Sequence, residues 1–349
     1  MEHSAYRIID ANFNRAREAC RVIEDFCRFA LNSAPLTSRA KQLRHELCTL
    51  INKLDSAKLL AARDTLGDVG VAAAVPGQMT RSGIYDTFIA ASKRLPEALR
   101  VIAEVLSPTD PVTANAVEQL RYLCYTLEKD IILSHSTAEK FSTVRLYVII
   151  TSDLPSEILN LTCRCIAGGA DCIQLRAKAT PADQLFATAC ELAELCSSAN
   201  VLSIINDRVD IAVTAGADGA HLGQNDLPIA AAQKIAASPL VLGKTTHNIA
   251  QLEKAVAETP TYVSLGPVFP TPTKPDAEPV GLEYVHQGTT YLQDKGIGHV
   301  AVGGITEQNL TDVIQAGARA IAVCSAVTQA PDVSKACRNL KRKITDSLP

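Results

Sequence analysis

Apolar residues change their spacing near residue 140. Up to about Ser134 they recur at helical intervals, glycine is sparse, and no stretch alternates cleanly. This pattern predicts an all-helical domain over residues 1–135. Its last helix is expected from about Val112 to Leu133, and the polar residues from Ser134 to Thr143 read as the connection, with 136–143 as the linker. From Val144 onward short apolar runs alternate with helical stretches, which is how parallel βαβ units are written in sequence. Eight strands are predicted, at 145–151, 172–176, 202–206, 219–222, 240–243, 262–265, 299–302 and 320–323. The expected architecture is α/β: a C-terminal (β/α)8 TIM barrel over 144–349, preceded by the all-α domain. An open doubly wound sheet usually has fewer strands. Its glycine fingerprint should also follow a strand, whereas Gly296-Ile297-Gly298 precedes one.

The helical half contains an internal echo. Arg15 to Ile23 and Arg94 to Ile102 share the pattern Arg-x-x-Glu-Ala-x-Arg-Val-Ile. Two related amphipathic helices are expected, each burying Val-Ile and presenting Glu and Arg on another face. The plainer alternative is a pair of helices carrying ordinary i,i+3 ion pairs. Between the copies, Ala61 to Gly70 is polar, charged and punctuated by glycine, and reads as a candidate site.

Composition narrows the function. The formal charge of −3 over 349 residues leaves no general positive field for nucleic acid or acidic membranes, so any anion must be held locally. No apolar run reaches the ~20 residues of a membrane span, and the first residues lack the apolar core of a secretory signal, so a cytoplasmic protein is expected. Eleven cysteines without a Cys-x-x-Cys pair suit neither a zinc site nor a disulfide framework.

In such a barrel the reactive groups gather at the carboxyl ends of the strands. Strand two ends in Gln174, Arg176 and Lys178, two cations and an amide suited to a diphosphate. Strands three and four end in Asn206-Asp207 and, beyond His221-Leu222-Gly223-Gln224, in Asp226. Two carboxylates from adjacent strands suit Mg²⁺, which takes a few carboxylate oxygens and completes its shell with water and substrate phosphate. Asp226 just before Leu227-Pro228 could instead cap a helix. The loop after strand six, Gly266 to Gly281, is long and proline-rich and carries Thr271, Thr273 and Lys274, hydroxyls and a cation suited to phosphate. Strand seven ends in Gly303-Gly304 and strand eight in Cys324-Ser325, where this fold commonly builds a phosphate cup from backbone N–H groups. Two phosphate sites thus face one another with no nucleophile between them, which suits expulsion of diphosphate by positioning and charge neutralisation.

The ordered set Gln-Leu-Arg-x-Lys, Asn-Asp, His-Leu-Gly-Gln-x-Asp, Gly-Pro-x-Phe-x-Thr-x-Thr-Lys and Gly-Gly-Ile, over about residues 144–330, resembles the thiamine-phosphate synthase family. The resemblance implies coupling of an aminopyrimidine diphosphate to a thiazole phosphate through a pyrimidine cation. Gln174, Arg176, Lys178, Asn206, Thr245 and Lys274 would then hold the pyrimidine diphosphate, with Arg176 and Lys274 as charge stabilisers. Asp207 and Asp226 would bind Mg²⁺. Thr271, Thr273, Gly303, Gly304, Cys324 and Ser325 would hold the thiazole phosphate. The family usually has isoleucine at Cys324 and commonly serine at Thr245. A sister thiazole tautomerase, towards which His247 points, has no evident use for a diphosphate clamp and two carboxylates.

The N-terminal half, in Ile-Ile-Asp-Ala-Asn-x-Asn-Arg-Ala-Arg-Glu and Ala-Arg-Asp-Thr-x-Gly-Asp, resembles the helical domain often fused to that synthase and proposed to be a hydroxymethylpyrimidine phosphate kinase. Asp10, Asn12, Asn14, Arg15, Arg17, Arg63, Asp64 and Asp68 would then bind phosphates and a metal, with ATP as partner, although no Walker or kinase glycine loop is present. A structural or dimerising module is the alternative, and the oligomeric state is left open.

Overall fold

The computed structural model describes residues 1–70, 77, 80–236, 239–273 and 277–348. It falls into two compact units, Met1–Ile132 and Leu133–Pro349.

The first unit is helical: α1 (His3–Asp25), a π-helical turn (Phe26–Ala30), α2 (Ala34–Ile51), α3 (Ser56–Ala61), α4 (Ile84–Leu106) and the first part of α5 (Pro111–Ser142). Side chains mark the starts. The Asp55 carboxylate accepts from Lys58 N at 3.1 Å ahead of α3, and Asp110 accepts from Thr113 N at 3.0 Å just before Pro111 opens α5. The two copies of the repeat lie on α1 and α4, which pack against each other. Ala19, Ile23, Ala98 and Ile102 are buried in that contact. Val22 is only half-buried and Val101 is exposed, so the repeat buries Ile but not Val. Adjacent helical residues point about 100° apart, and the apolar stripe is too narrow to take both.

The second unit is a closed barrel of eight parallel strands in sequential order, β1 (Leu146–Ile150), β2 (Cys172–Leu175), β3 (Leu202–Asn206), β4 (Gly219–Leu222), β5 (Val241–Thr246), β6 (Tyr262–Leu265), β7 (Gly298–Val302) and β8 (Ile321–Val323). The surrounding helices are α6 (Pro155–Ala167), α7 (Ala182–Ser198), α8 (Val209–Thr214), α9 (Ile229–Ile235), α10 (Ile249–Ala257), α11 (Gly281–Leu292), α12 (Leu310–Gln315), α13 (Ser325–Thr328) and α14 (Val333–Ser347). Strand alternation divides the core. Leu146, Val148, Ile150, Ile173 and Leu175 face the helical layer, while Tyr147, Cys172, Ile204, Val241, Tyr262, Val300 and Ala322 fill the interior. The strands lie close to their expected positions. β5 runs three residues further, because Lys244, Thr245 and Thr246 are polar in sequence yet buried in the sheet.

The expected linker is corrected: α5 continues through Ser142, so residues 136–143 are almost entirely helical. The end of α5 belongs to the second unit. Phe141 stacks on Tyr262 with ring centroids 4.1 Å apart and planes inclined by 7°, and with Val144 it closes the amino end of the barrel interior. Among residues 133–142 only Thr137 and Phe141 are buried, and Leu133 is half-buried. So sparse an apolar stripe looks like a linker in sequence. No helix among the described residues is long and apolar enough to cross a membrane.

Candidate active site

The inward-facing residues at the carboxyl ends of the strands, with the loops that follow, line one cavity of about 420 Å³. That is within the usual range for small-molecule sites. Gln174, Arg176, Lys178, Asn206, Asp207, Asp226, Thr245, Thr271, Thr273, Gly303, Gly304, Cys324 and Ser325 all line it. Lys274 lies outside the described residues.

On one side, β2 ends at Leu175 and the chain stays tied to β1 through Arg176 N to Ile150 O at 2.9 Å. Gln174 is buried at the base, Arg176 is half-buried, and Lys178 is exposed. Among the described residues the Arg176 guanidinium has neither an ion-pair partner nor a hydrogen-bond acceptor, although it borders the cavity. A half-buried cation in that condition suits an anionic ligand. Lys178 Nζ lies 3.3 Å from Asp207 Oδ2. Asp207 follows β3 in the left-handed region, at φ 63°, which is strained for a residue other than glycine. Burial, then the neighbouring Asp226 carboxylate, raises the Asp207 pKa, and Lys178 opposes the shift. Asp226 does not cap a helix. Its Oδ2 accepts from Gly223 N at 2.7 Å, while the first amide of α9, Ile229 N, donates to Glu258 Oε2 at 3.0 Å.

Two mutually repelling carboxylates, partly offset by one lysine, form a donor set that fits a divalent cation. Mg²⁺ in particular needs only one or two protein carboxylates and fills its octahedron with water and phosphate oxygens. Among the described residues no group of three or more His, Cys, Asp or Glu is placed to hold a metal by itself.

The opposite side is built from backbone. The loop after β6 is pinned to the end of β7 by Val268 N to Val302 O at 2.9 Å and Phe269 N to Gly303 O at 3.0 Å. This carries Thr271 and Thr273 to the rim. Gly303 sits at φ 103° and Gly304 at φ 63°; a Cβ on Gly303 would lie 2.4 Å from Pro267 Cβ, and one on Gly304 would lie 2.5 Å from the Pro270 carbonyl. Both positions require glycine, for the backbone angle and for space. Ser325 opens α13 beside Cys324, whose Sγ is 3.7 Å from Thr151 Oγ1.

Several cavity residues escaped the strand-end reading. Tyr147, His221, Gln224, Ser264 and His247 also line it. The His247 ring bonds to the Gly266 carbonyl through Nδ1, and Gln224 Nε2 donates to the Thr245 carbonyl. Strict period-two alternation from the strand ends would have named Tyr147, His221 and Ser264 as inward-facing.

In the first unit, Arg63 donates to both oxygens of Asp10, at 2.9 and 2.7 Å, and Arg7 reaches the Asp64 carbonyl at 3.0 Å. Asn12 and Asn14 donate to the carbonyls of Ile8 and Asp10, both at 2.9 Å. Asp64 and Asp68 accept from Gly67 N and Gly70 N at 2.8 and 2.9 Å and so shape their own turns. The fold brings Asp10, Arg63 and Asp64 together with the asparagines. It spends the Asp10 carboxylate on an internal pair, while Arg15 and Arg17 stay on the exposed side of α1.

Residues 146–327 match the thiamine monophosphate synthase family, and residues 7–130 match the ThiD2 family. The chain is 39% identical over 331 residues to a thiamine-phosphate synthase of Nostoc punctiforme, covering 95% of this chain and 91% of that protein. It is 36% identical over 344 residues to one from Synechocystis, covering 98% and 97%. The structure of a thiamine phosphate pyrophosphorylase from Pyrococcus furiosus aligns with a TM-score of 0.55 and 32% identity, covering 61% of this chain and 99% of that one. A parallel barrel with a two-sided, phosphate-suited cavity, together with matches along nearly the whole length, places the chain in the thiamine monophosphate synthase family.

Proposed function

We propose that the barrel joins 4-amino-2-methyl-5-(diphosphooxymethyl)pyrimidine to 4-methyl-5-(2-phosphoethyl)thiazole, giving thiamine phosphate and diphosphate. The observation that carries this reading is the division of one cavity between a charged wall and a backbone wall. Arg176 and Lys178, with Asp207 and Asp226, suit a diphosphate; Gly303, Gly304 and Ser325, with Thr271 and Thr273, suit a monophosphate. Two differently built anion sites opening on one space suit a two-substrate coupling better than an isomerisation of one monophosphate.

In the proposed reaction the bond from the pyrimidine methylene carbon to the diphosphate oxygen breaks, and its electron pair leaves with the diphosphate. The ring stabilises the resulting cation, and the thiazole nitrogen lone pair forms the new carbon–nitrogen bond. The chain's residues bind, orient and neutralise: Arg176 faces the departing charge, and Asn206 and Thr245 hold the pyrimidine side near it. Lys274, a residue with no structural description, is assigned to the same charge by the sequence pattern. Asp207 and Asp226 would hold magnesium, which when bound would offset the diphosphate charge. No covalent enzyme intermediate is involved, and Cys324 contributes backbone to the phosphate cup.

The test uses the purified full chain with both heterocycles, following thiamine phosphate and diphosphate by mass spectrometry with Mg²⁺ and after chelation. Equimolar products that disappear on chelation and return with Mg²⁺ are expected. Robust coupling without any divalent cation would remove the metal role, and absence of coupling would remove the reading.

The helical unit carries a second reading, favoured by its ThiD2 match and by the buried polar residues Asp10 and Asn12 on α1 beside Arg63. It would phosphorylate the pyrimidine monophosphate with ATP and so supply the barrel. If the folded full chain consumes no ATP with that monophosphate, the unit is a structural or dimerising module instead. We also assign residues 1–135 and 144–349, the latter together with the end of α5 that packs into its core, as the two functional domains.

A further inference from the structure

A continuous chain of side-chain hydrogen bonds crosses the floor of the cavity. Gln174 Nε2 donates to Tyr147 Oη at 2.8 Å; Tyr147 Oη lies 2.9 Å from Tyr262 Oη; Tyr262 Oη lies 3.0 Å from His221 Nδ1; and His221 Nε2 lies 2.9 Å from Thr245 Oγ1. Gln174 on β2, Thr245 on β5, Tyr147 and His221 all line the cavity, and Tyr262 is fully buried beneath them.

The direction of the chain follows from its first member. The Gln174 amide nitrogen can only donate, so Tyr147 accepts there; of the two groups its own proton can reach, Tyr262 Oη and the Cys172 thiol, the chain uses Tyr262. Tyr262 in turn donates to His221 Nδ1. In a neutral imidazole the proton then sits on Nε2, which faces Thr245 Oγ1 at 2.9 Å and Ser264 Oγ at 3.5 Å; donated to Thr245, it leaves that hydroxyl's own proton for the cavity. Burial, before any other cause, holds the pKa of both phenols well above its ordinary value, so neither loses its proton near neutrality. The packing around the chain is tight enough to hold it in place. A Cβ on Gly243 would lie 2.3 Å from Tyr262 Cζ and 2.4 Å from His221 Nδ1, and Phe141 stacks on the far side of the Tyr262 ring.

We propose that Tyr147 and Tyr262 are positioning residues for the pyrimidine substrate. Tyr147 holds the Gln174 amide nitrogen and leaves its oxygen as an acceptor, while Tyr262 acts through His221 to set Thr245 as a donor toward the cavity; these polarities suit the amino group and a ring nitrogen of an aminopyrimidine. This inference rests on the coupling reaction proposed above, and it goes beyond that reading in naming what sets the polarity of the pyrimidine pocket.

The test is made on the full chain labelled with ¹⁵N-histidine, in the wild type and in Tyr147→Phe and Tyr262→Phe. Imidazole nitrogen shifts report the tautomer of His221, identified by loss of its signal in His221→Asn. The wild type should show Nε2 protonated and Nδ1 bare. Tyr147→Phe leaves the Tyr262, Thr245 and Ser264 contacts of His221 in place but removes the hydroxyl that relays the direction set by the Gln174 amide, so a mixture of tautomers is expected. Each Tyr→Phe variant should raise KM for the pyrimidine diphosphate about tenfold, the usual effect of losing one buried hydrogen bond, and leave KM for the thiazole phosphate within about twofold. A wild-type imidazole protonated on Nδ1 would overturn the assigned direction. Unchanged tautomer and unchanged KM in Tyr147→Phe would overturn the positioning role. Should Tyr262→Phe fold poorly, as judged by its thermal midpoint, Tyr147→Phe decides alone. A wild type that shows the expected tautomer but makes no thiamine phosphate would defeat the coupling reading and leave the hydrogen-bond chain standing.

Discussion

Replacing Arg176 by alanine separates binding from folding more cleanly than any other change in the cavity. The guanidinium is half-buried and has no side-chain or backbone acceptor among the described residues, so folding gains nothing from its charge. A bound diphosphate would accept two parallel N–H bonds from it. Hydrogen bonds to charged groups contribute roughly 1.5–3 kcal/mol each, and partial solvent exposure lowers the pair to about 2–4 kcal/mol. At about 1.4 kcal/mol per decade, Arg176→Ala should reduce kcat/KM for the pyrimidine diphosphate by about 30- to 700-fold. The constant for thiazole phosphate should move by no more than about threefold, and the thermal midpoint of the ligand-free protein should stay within about 2 °C of wild type. Arg176→Lys should recover only part of the loss, because an ammonium keeps the charge but not the planar fork. Steady-state kinetics with each substrate varied in turn, together with calorimetry, make the comparison. An Arg176→Ala protein that melts several degrees lower yet couples normally would show that the residue serves the fold and that the diphosphate lies elsewhere.

Three further outcomes are expected. Gly303→Ala puts a methyl group 2.4 Å from Pro267 Cβ at a positive φ, at a cost of about 1–3 kcal/mol, so KM for the thiazole phosphate should rise about 5- to 150-fold while binding of the pyrimidine diphosphate, measured by calorimetry, stays near wild type. His299 on β7 is held neutral by burial first and by Arg319 second, with its pKa lowered to about 4, and its Nε2 accepts from Arg319 N at 3.2 Å. A depressed histidine pKa means that the unfolded chain binds the extra proton: its contribution to stability is complete above about pH 6.5 and is lost as pH falls towards 4. Urea midpoints for wild type should therefore fall more steeply across that interval than those of His299→Gln, and parallel curves would refute this. Phe141→Ala removes the ring stacked on Tyr262 and should lower unfolding free energy by about 3–5 kcal/mol in denaturant titrations, whereas a true linker residue would change it by less than about 0.5 kcal/mol.

The barrel was readable from the sequence because its two periods are local. Alternating apolar residues name a strand, helical spacing names the helix that follows, and strand-end residues then fall at the active face of the fold whatever the coordinates. Gln174, Arg176, Asp207, Asp226, Gly303 and Ser325 could all be placed on one cavity in this way. Lys244, Thr245 and Thr246 interrupted the apolar pattern and hid the end of β5, since a polar residue buried by tertiary contacts looks exposed in sequence. Residues 136–142 hid the end of α5 for the converse reason: one buried phenylalanine among polar neighbours carries no period.

What the linear chain determined, then, was the order of elements, the type of residue at each strand end, and the family those motifs describe. Which partners those residues take was decided only by the closed barrel. Closure sets Tyr147 beside Tyr262, although 115 positions separate them in the chain, and Asp226 back on Gly223 rather than on a helix start. It also leaves Arg176 without an acceptor among the described residues, while Asp10 is consumed by Arg63. Periodicity is a property of neighbours along the chain, whereas hydrogen-bond direction and charge pairing depend on groups that meet only when distant strands are brought side by side.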